Sequence, residues 1–115
     1  AGYALRRGEG RLFEYDVTGG RYEESEHVES GSGSLHAGTV VKLGYREGMS
    51  RDEAIDLLVH ALYRAAEEDS ATGGPDLMRG IFPVVATISA AGYERVTDDE
   101  LRTRVEAIIS REVAR

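Results

Sequence analysis

A chain of 115 residues, 41% hydrophobic and 30% charged, holds enough apolar side chains for one core and too few for two, so one globular unit is expected over residues 1–115. Acids outnumber bases 21 to 14, giving a formal charge of −7, which argues against binding nucleic acid because neutralising its phosphates needs clustered Lys and Arg. No cysteine is present, which excludes disulfides, cysteine-ligated metals and a cysteine nucleophile, and fits a reducing cytoplasm.

The first third alternates β-rich runs with glycine: Tyr3 to Leu5, Arg11 to Asp16 and Tyr22 to Val28, separated by Gly8, Gly10, Gly19 and Gly20. That is the pattern of antiparallel hairpins. The start, Ala1 to Arg7, has neither an initiator Met nor the charged-then-apolar order of a secretory signal, and reads as the middle of something longer.

From Ser34 to Leu43 the period turns helical, with Leu35, Val40, Val41 and Leu43 apolar and Gly44 placed as a stop. Ser50-Arg51-Asp52-Glu53 is a capping box, and Ala54, Ile55, Leu58, Ala61, Leu62 and Ala65 recur at three and four, predicting a helix from about Arg51 to about Glu68. Ile81 to Ile88 is apolar on both parities and reads as a strand covered on two sides. It is far shorter than the roughly 20 residues that cross a bilayer. Gly92 to Val96 follows as its partner after an Ala90-Ala91 turn, and a second capping box, Thr97 to Glu100, opens a terminal helix with Leu101, Val105, Ile108 and Ile109 on one face. Strands, two helices, strands and a helix make an α+β order, not a βαβ repeat.

Two features carry chemistry. The long helix runs into Glu67-Glu68-Asp69 at the negative end of its dipole, against the usual preference for cations there, and then into Ser70-Ala71-Thr72-Gly73-Gly74-Pro75. Either a functional acid or a solvated helix end with an Asx-type turn fits that pattern. Gly31-Ser32-Gly33-Ser34 offers backbone N–H groups before a helix, but it lacks the lysine of a phosphate loop, and a plain turn with Ser32 or Ser34 as N-cap is the commoner arrangement. His27, His36 and His60 have no metal-ligand spacing, so neither a metal nor another cofactor is expected.

Gly31-Ser32-Gly33-Ser34, then Asp69-Ser70-Ala71-Thr72-Gly73-Gly74, then Arg79-Gly80-Ile81-Phe82-Pro83, together with Tyr15-Asp16-Val17-Thr18-Gly19-Gly20-Arg21-Tyr22, occur in an order that resembles proteasome β-type subunits of the core particle. The wording Thr72 to Asp76 has an actinobacterial look. The resemblance covers nearly the whole chain and implies the C-terminal half of such a subunit. The implied fold is half of the αββα four-layer sandwich of N-terminal nucleophile hydrolases, with antiparallel strands and three helices.

The resemblance also implies a threonine-type endopeptidase that degrades unfolded proteins to peptides in the cytoplasm. Other β and α subunits in stacked heptameric rings would be its partners, and neither nucleic acid nor membrane would be. The nucleophilic threonine and its lysine have no counterpart in these residues, so the 115 residues alone are expected to be inactive. By the family pattern Asp69, Ser32 and Thr72 match the supporting acid and hydroxyls around the nucleophile's amine. Thr72 stands where most members have serine, which keeps the hydroxyl and stiffens χ1. Asp16 matches a substrate-cleft position reached across a subunit interface. Two other expectations stand beside this one: a non-catalytic assembly or scaffold protein that keeps the half-fold, and a small anion-binding module built on Gly31 to Ser34.

Overall fold

The computed structural model describes residues 1–15, 18–31, 33–68 and 82–114. In chain order these form β1 (Gly2–Ala4), β2 (Glu9–Tyr15), β3 (Arg21–Glu24), α1 (Ser34–Gly44), α2 (Arg51–Glu68), β4 (Ala86–Ser89), β5 (Gly92–Arg95) and α3 (Asp98–Ala114). Antiparallel strands with three helices make the α+β class that the sequence predicts. Two compact units can be distinguished, one of Ala1–Val28 with Ala86–Arg95 and one of Glu29–Val85 with Val96–Arg115.

In the strand unit, β1, β2 and β3 form an antiparallel sheet in that order, and β4 pairs with β5. The β1–β2 turn needs Gly8 at φ 64°, a left-handed conformation that glycine adopts without strain. Leu12 faces Glu24 and Phe13 faces Glu23 across β2 and β3. Both oxygens of Glu23 accept from the Arg11 guanidinium at 2.9 Å, and that hydrogen bond holds the Glu23 carboxyl below its ordinary range. Arg11 and Arg21 each lie 5.1 Å from the centre of the Phe13 ring, within the reach of a cation–π contact. The expected strand over Tyr22 to Val28 is shorter than its sequence suggests: β3 ends at Glu24, where Ser25, Glu26 and His27 bring residues that pair poorly in sheets.

The expected strand over Ile81 to Ile88 is also revised. Residues 82–85 are not strand, and β4 begins only at Ala86. Pro83 has no N–H to give to a ladder, and Val84 is exposed rather than covered. Val85 still accepts a bond from Val96 N at 2.8 Å. The hairpin itself follows the sequence, with Ser89 opposite Gly92 across the Ala90-Ala91 turn.

The helical unit holds the core. Ile55 and Val59 of α2 pack with Val85, Val96 and with Leu101, Val105 and Ile108 of α3. Full burial of side chains such as Val59 and Leu101 contributes about 1.5–3 kcal/mol each. The first capping box forms in full, and the second through its hydroxyl bond, with the Glu100 carboxylate turned to Arg51 and Arg104. Ser50 Oγ accepts from Glu53 N at 3.1 Å while Glu53 Oε1 accepts from Ser50 N at 3.2 Å. Thr97 Oγ1 accepts from Glu100 N at 3.2 Å.

Arg104 joins α2 to α3. Its guanidinium donates to Asp56 Oδ1 at 2.7 Å, Asp52 Oδ1 at 2.8 Å and Glu100 Oε2 at 2.9 Å. These acceptors, Asp56 foremost, push the arginine further toward its charged form. Hydrogen bonds from Arg51 and then Arg104 hold Glu100 below its ordinary range.

Helix α1 departs from expectation in three places. Its N-cap is Gly33, with no side-chain cap bond, so Ser34 is the first helical residue instead of the cap. Gly44 is the last helical residue rather than a left-handed stop. Its lack of a side chain serves a close approach, because a Cβ there would sit 2.5 Å from Leu57 Cδ1. Leu35 and Leu43 face outward, 77% and 83% exposed, since Val41 on another face takes the buried position.

Candidate active site

Helices α1 and α2 form an antiparallel pair. Gly44 at the end of α1 meets Leu57, while the start of α1 lies beside Leu62 and Ala65, more than one turn further along α2. The loop over residues 45–50 is therefore at one end of the pair, and the Gly31 to Ser34 turn shares the other end with the last turn of α2. Local sequence explains this placement. Gly31 at φ 101° turns the chain into α1, with Ser34 N donating to Gly31 O at 3.2 Å and Ala37 N to Gly33 O at 3.0 Å. At the other end, the Ser50 capping box fixes where α2 begins.

Between the two helices at this end is a pocket of about 200 Å³ that opens to the surface. Ser30, Gly31, Gly33, Ser34 and Ala37, from the turn and α1, line it together with Leu62 and Ala65 of α2. Ala65 is buried, at 2% exposure. The sequence pattern placed Leu62 and Ala65 on the apolar face of α2 but gave no sign of the space between them and α1. Its only trace was the run of small residues at 31, 33, 37 and 65.

The four residues singled out from sequence, Asp16, Ser32, Asp69 and Thr72, lie outside the described residues. What the structure describes is their neighbours in sequence: Gly31 and Gly33 flank position 32 and line the pocket, and Ala65, also in its lining, is four residues before position 69 in the chain. The acidic end of α2 is partly offset, because Arg64 pairs with Glu67 at 3.2 Å. His60 is half-buried on α2. Among the described residues no group of three or more His, Cys, Asp or Glu is placed to hold a metal ion, and no helix is long and apolar enough to cross a membrane.

Residues 1–78 match the family described as "Proteasome subunit". Among individual proteins, the proteasome subunit beta of Streptomyces griseus is 50% identical over 111 residues, 96% of this chain and 40% of the relative. That of Acidimicrobium ferrooxidans is 54% identical over 101 residues, 88% of this chain and 37% of the relative. That of a Parafrankia species is 47% identical over 110 residues, 96% and 40% of the two lengths. The chain thus spans about 40% of the length of the curated relatives it matches.

Proposed function

The chain belongs to the proteasome subunit family, and from that premise we propose that it is part of a core-particle β subunit, a threonine-type endopeptidase that degrades unfolded proteins to peptides. These 115 residues form one partial domain of that subunit, the C-terminal half of its sandwich. They supply the support shell of the active site and contacts to other subunits in cytoplasmic rings. The N-terminal threonine comes from the rest of the same polypeptide.

The observation that carries this reading is the α1–α2 pair, whose shared end joins the Gly31 to Ser34 turn to the last turn of α2 beside one pocket. Asp69 follows directly on that last turn, and Ser32 lies within the glycine–serine turn. In the proposed chemistry the Asp69 carboxylate and the Ser32 and Thr72 hydroxyls hydrogen-bond around the amine of the threonine. That amine takes the proton from the threonine hydroxyl as it attacks the peptide carbonyl. A carboxylate beside an ammonium gains a charge-assisted bond, which accounts for an acid at the unfavourable end of a helix dipole. Asp16 acts separately, in binding substrate across a subunit interface.

The test is hydrolysis of a fluorogenic peptide by assembled particles of the complete subunit, wild type beside Asp69→Asn. A loss of about 10²-fold or more in kcat is expected, comparable with removing one preorganised polar partner from an active site. An unchanged rate removes Asp69 from the mechanism, and particles with no hydrolysis at all favour a scaffold role.

A further inference from the structure

Helix α1 starts with little support of its own. Its N-cap, Gly33, has no side chain to cap with, and its first turn holds no acidic residue, so neither of the usual aids to a helix start, a capping oxygen and an acid, comes from those positions. The segment just before it supplies a different contact. Glu29 is half-buried while the next two residues, Ser30 and Gly31, are exposed, because its side chain folds back along α1: a Cβ at Gly38 would lie 3.5 Å from Glu29 Oε2, 3.6 Å from Cδ and 3.9 Å from Cγ. Glycine is, after proline, the poorest residue for a helix interior, and at position 38 it leaves bare backbone for that side chain to cover.

Glu29 and Gly38 bracket the Ser30 to Ser34 turn. On its inner side the turn is tied by Ser34 N, which donates to Gly31 O at 3.2 Å, and by Ala37 N, which donates to Gly33 O at 3.0 Å; Gly33 is buried. We infer that Glu29 is a positioning residue, whose side chain clamps the Ser30 to Ser34 turn to α1 across the bare backbone at Gly38. The inference rests on the reading that Ser32, in this turn, supports the nucleophile's amine, and deepens it by naming what holds that support in place. Three successive atoms of the side chain, Cγ, Cδ and Oε2, run along the helix, so the contact depends on the length and flatness of the group more than on its charge.

Two measurements on the complete subunit test it. In the first, assembled particles of four variants are assayed with a fluorogenic peptide. Glu29→Ala removes the side chain and Gly38→Leu fills its seat; each is expected to lower kcat about tenfold, with KM within about twofold of wild type, since small displacements of positioning groups act on the chemical step. Gly38→Ala adds a methyl that fits beside the carboxylate, and Glu29→Gln keeps the length, so both should stay within about threefold of the wild-type kcat. Glu29→Ala and Gly38→Leu particles that cleave at the wild-type rate overturn the clamp while leaving the endopeptidase reading intact, and so does a loss that Glu29→Gln shares in full.

The second is hydrogen exchange of wild type beside Glu29→Ala, which reads the turn whether or not the particles cleave peptides and does not depend on Gly38→Leu folding. The amides of Ser34 and Ala37, bonded to Gly31 and Gly33, are expected to exchange about tenfold faster in the variant, with the amides of α2 unchanged. Equal exchange at Ser34 and Ala37 overturns the inference. Wild-type particles that cleave nothing sink the endopeptidase reading instead, and exchange then decides whether Glu29 holds the turn.

Discussion

The two units of the chain are built on different terms. Every buried hydrophobic side chain among the described residues belongs to the helical unit, from Val41 on α1 to Ile108 on α3. The strand unit has none, and it leaves Leu5, Tyr15, Tyr22, Ile88 and Tyr93 exposed. The helices have a core of their own because period-3.6 apolar faces on α2 and α3 find each other within this stretch. The strands hold their ladders and local contacts such as Arg11–Phe13–Glu23, with no fully buried hydrophobic side chain among the described residues. A unit that carries its own core is set by its sequence alone, and one that lacks a core depends on what is laid against it.

Hydrogen exchange gives the sharpest way to break this contrast. In the isolated 115 residues, amides of β2 and β3 are expected to exchange at least a hundredfold faster than those of α2 and α3, and equal protection in both units contradicts it. The same exposed side chains predict that the isolated stretch aggregates or stays partly unfolded, and a sharp, reversible melt of a monomer counts against that.

In the complete subunit, Leu101→Ala removes a fully buried side chain from the helical core and should cost about 2–5 kcal/mol, read from urea unfolding. Arg104→Ala takes one partner from three carboxylates on two helices, of which Asp52 and Glu100 keep Arg51, and should cost about 1–3 kcal/mol, with Arg104→Lys recovering only part because one ammonium cannot reproduce the planar fork. Thr97→Ala, which removes the cap of α3, should cost about 1 kcal/mol.

The smallest effect is on pH. Glu100 has a folded-state pKa below the unfolded one, so its contribution is fully present above the unfolded value of 4.5 and lost as pH falls through the lower folded value. Replacing Glu100 with Gln should flatten that acid limb and leave stability near pH 7 changed only slightly, as an exposed ion pair implies. An acid limb identical to wild type would detach Glu100 from it.

The sequence was most legible where side chains act locally. Ser50 and Thr97 announced both helix starts because a capping box is complete within four residues. The face of α3 was readable for the same reason, with Leu101, Val105 and Ile108 all buried. What the pattern missed depends on neighbours distant in sequence. Leu35 and Leu43 look like core residues but point outward, and Val59, wholly buried, lies outside the three-and-four set expected for the α2 face. Gly44 reads as a helix stop, yet its partner Leu57 is thirteen residues on. At the candidate site, order and wording suggested Asp16, Ser32, Asp69 and Thr72, while the pocket arises from how far apart α1 and α2 stand, a distance no single residue encodes.

The contact at Gly44 gives the helix pair a fulcrum. An eleven-residue helix is about 16 Å long, so a tilt of only a few degrees against Leu57 swings the opposite tip by about an ångström. Precision at that tip is thus governed from the remote end, by the absence of one methyl group.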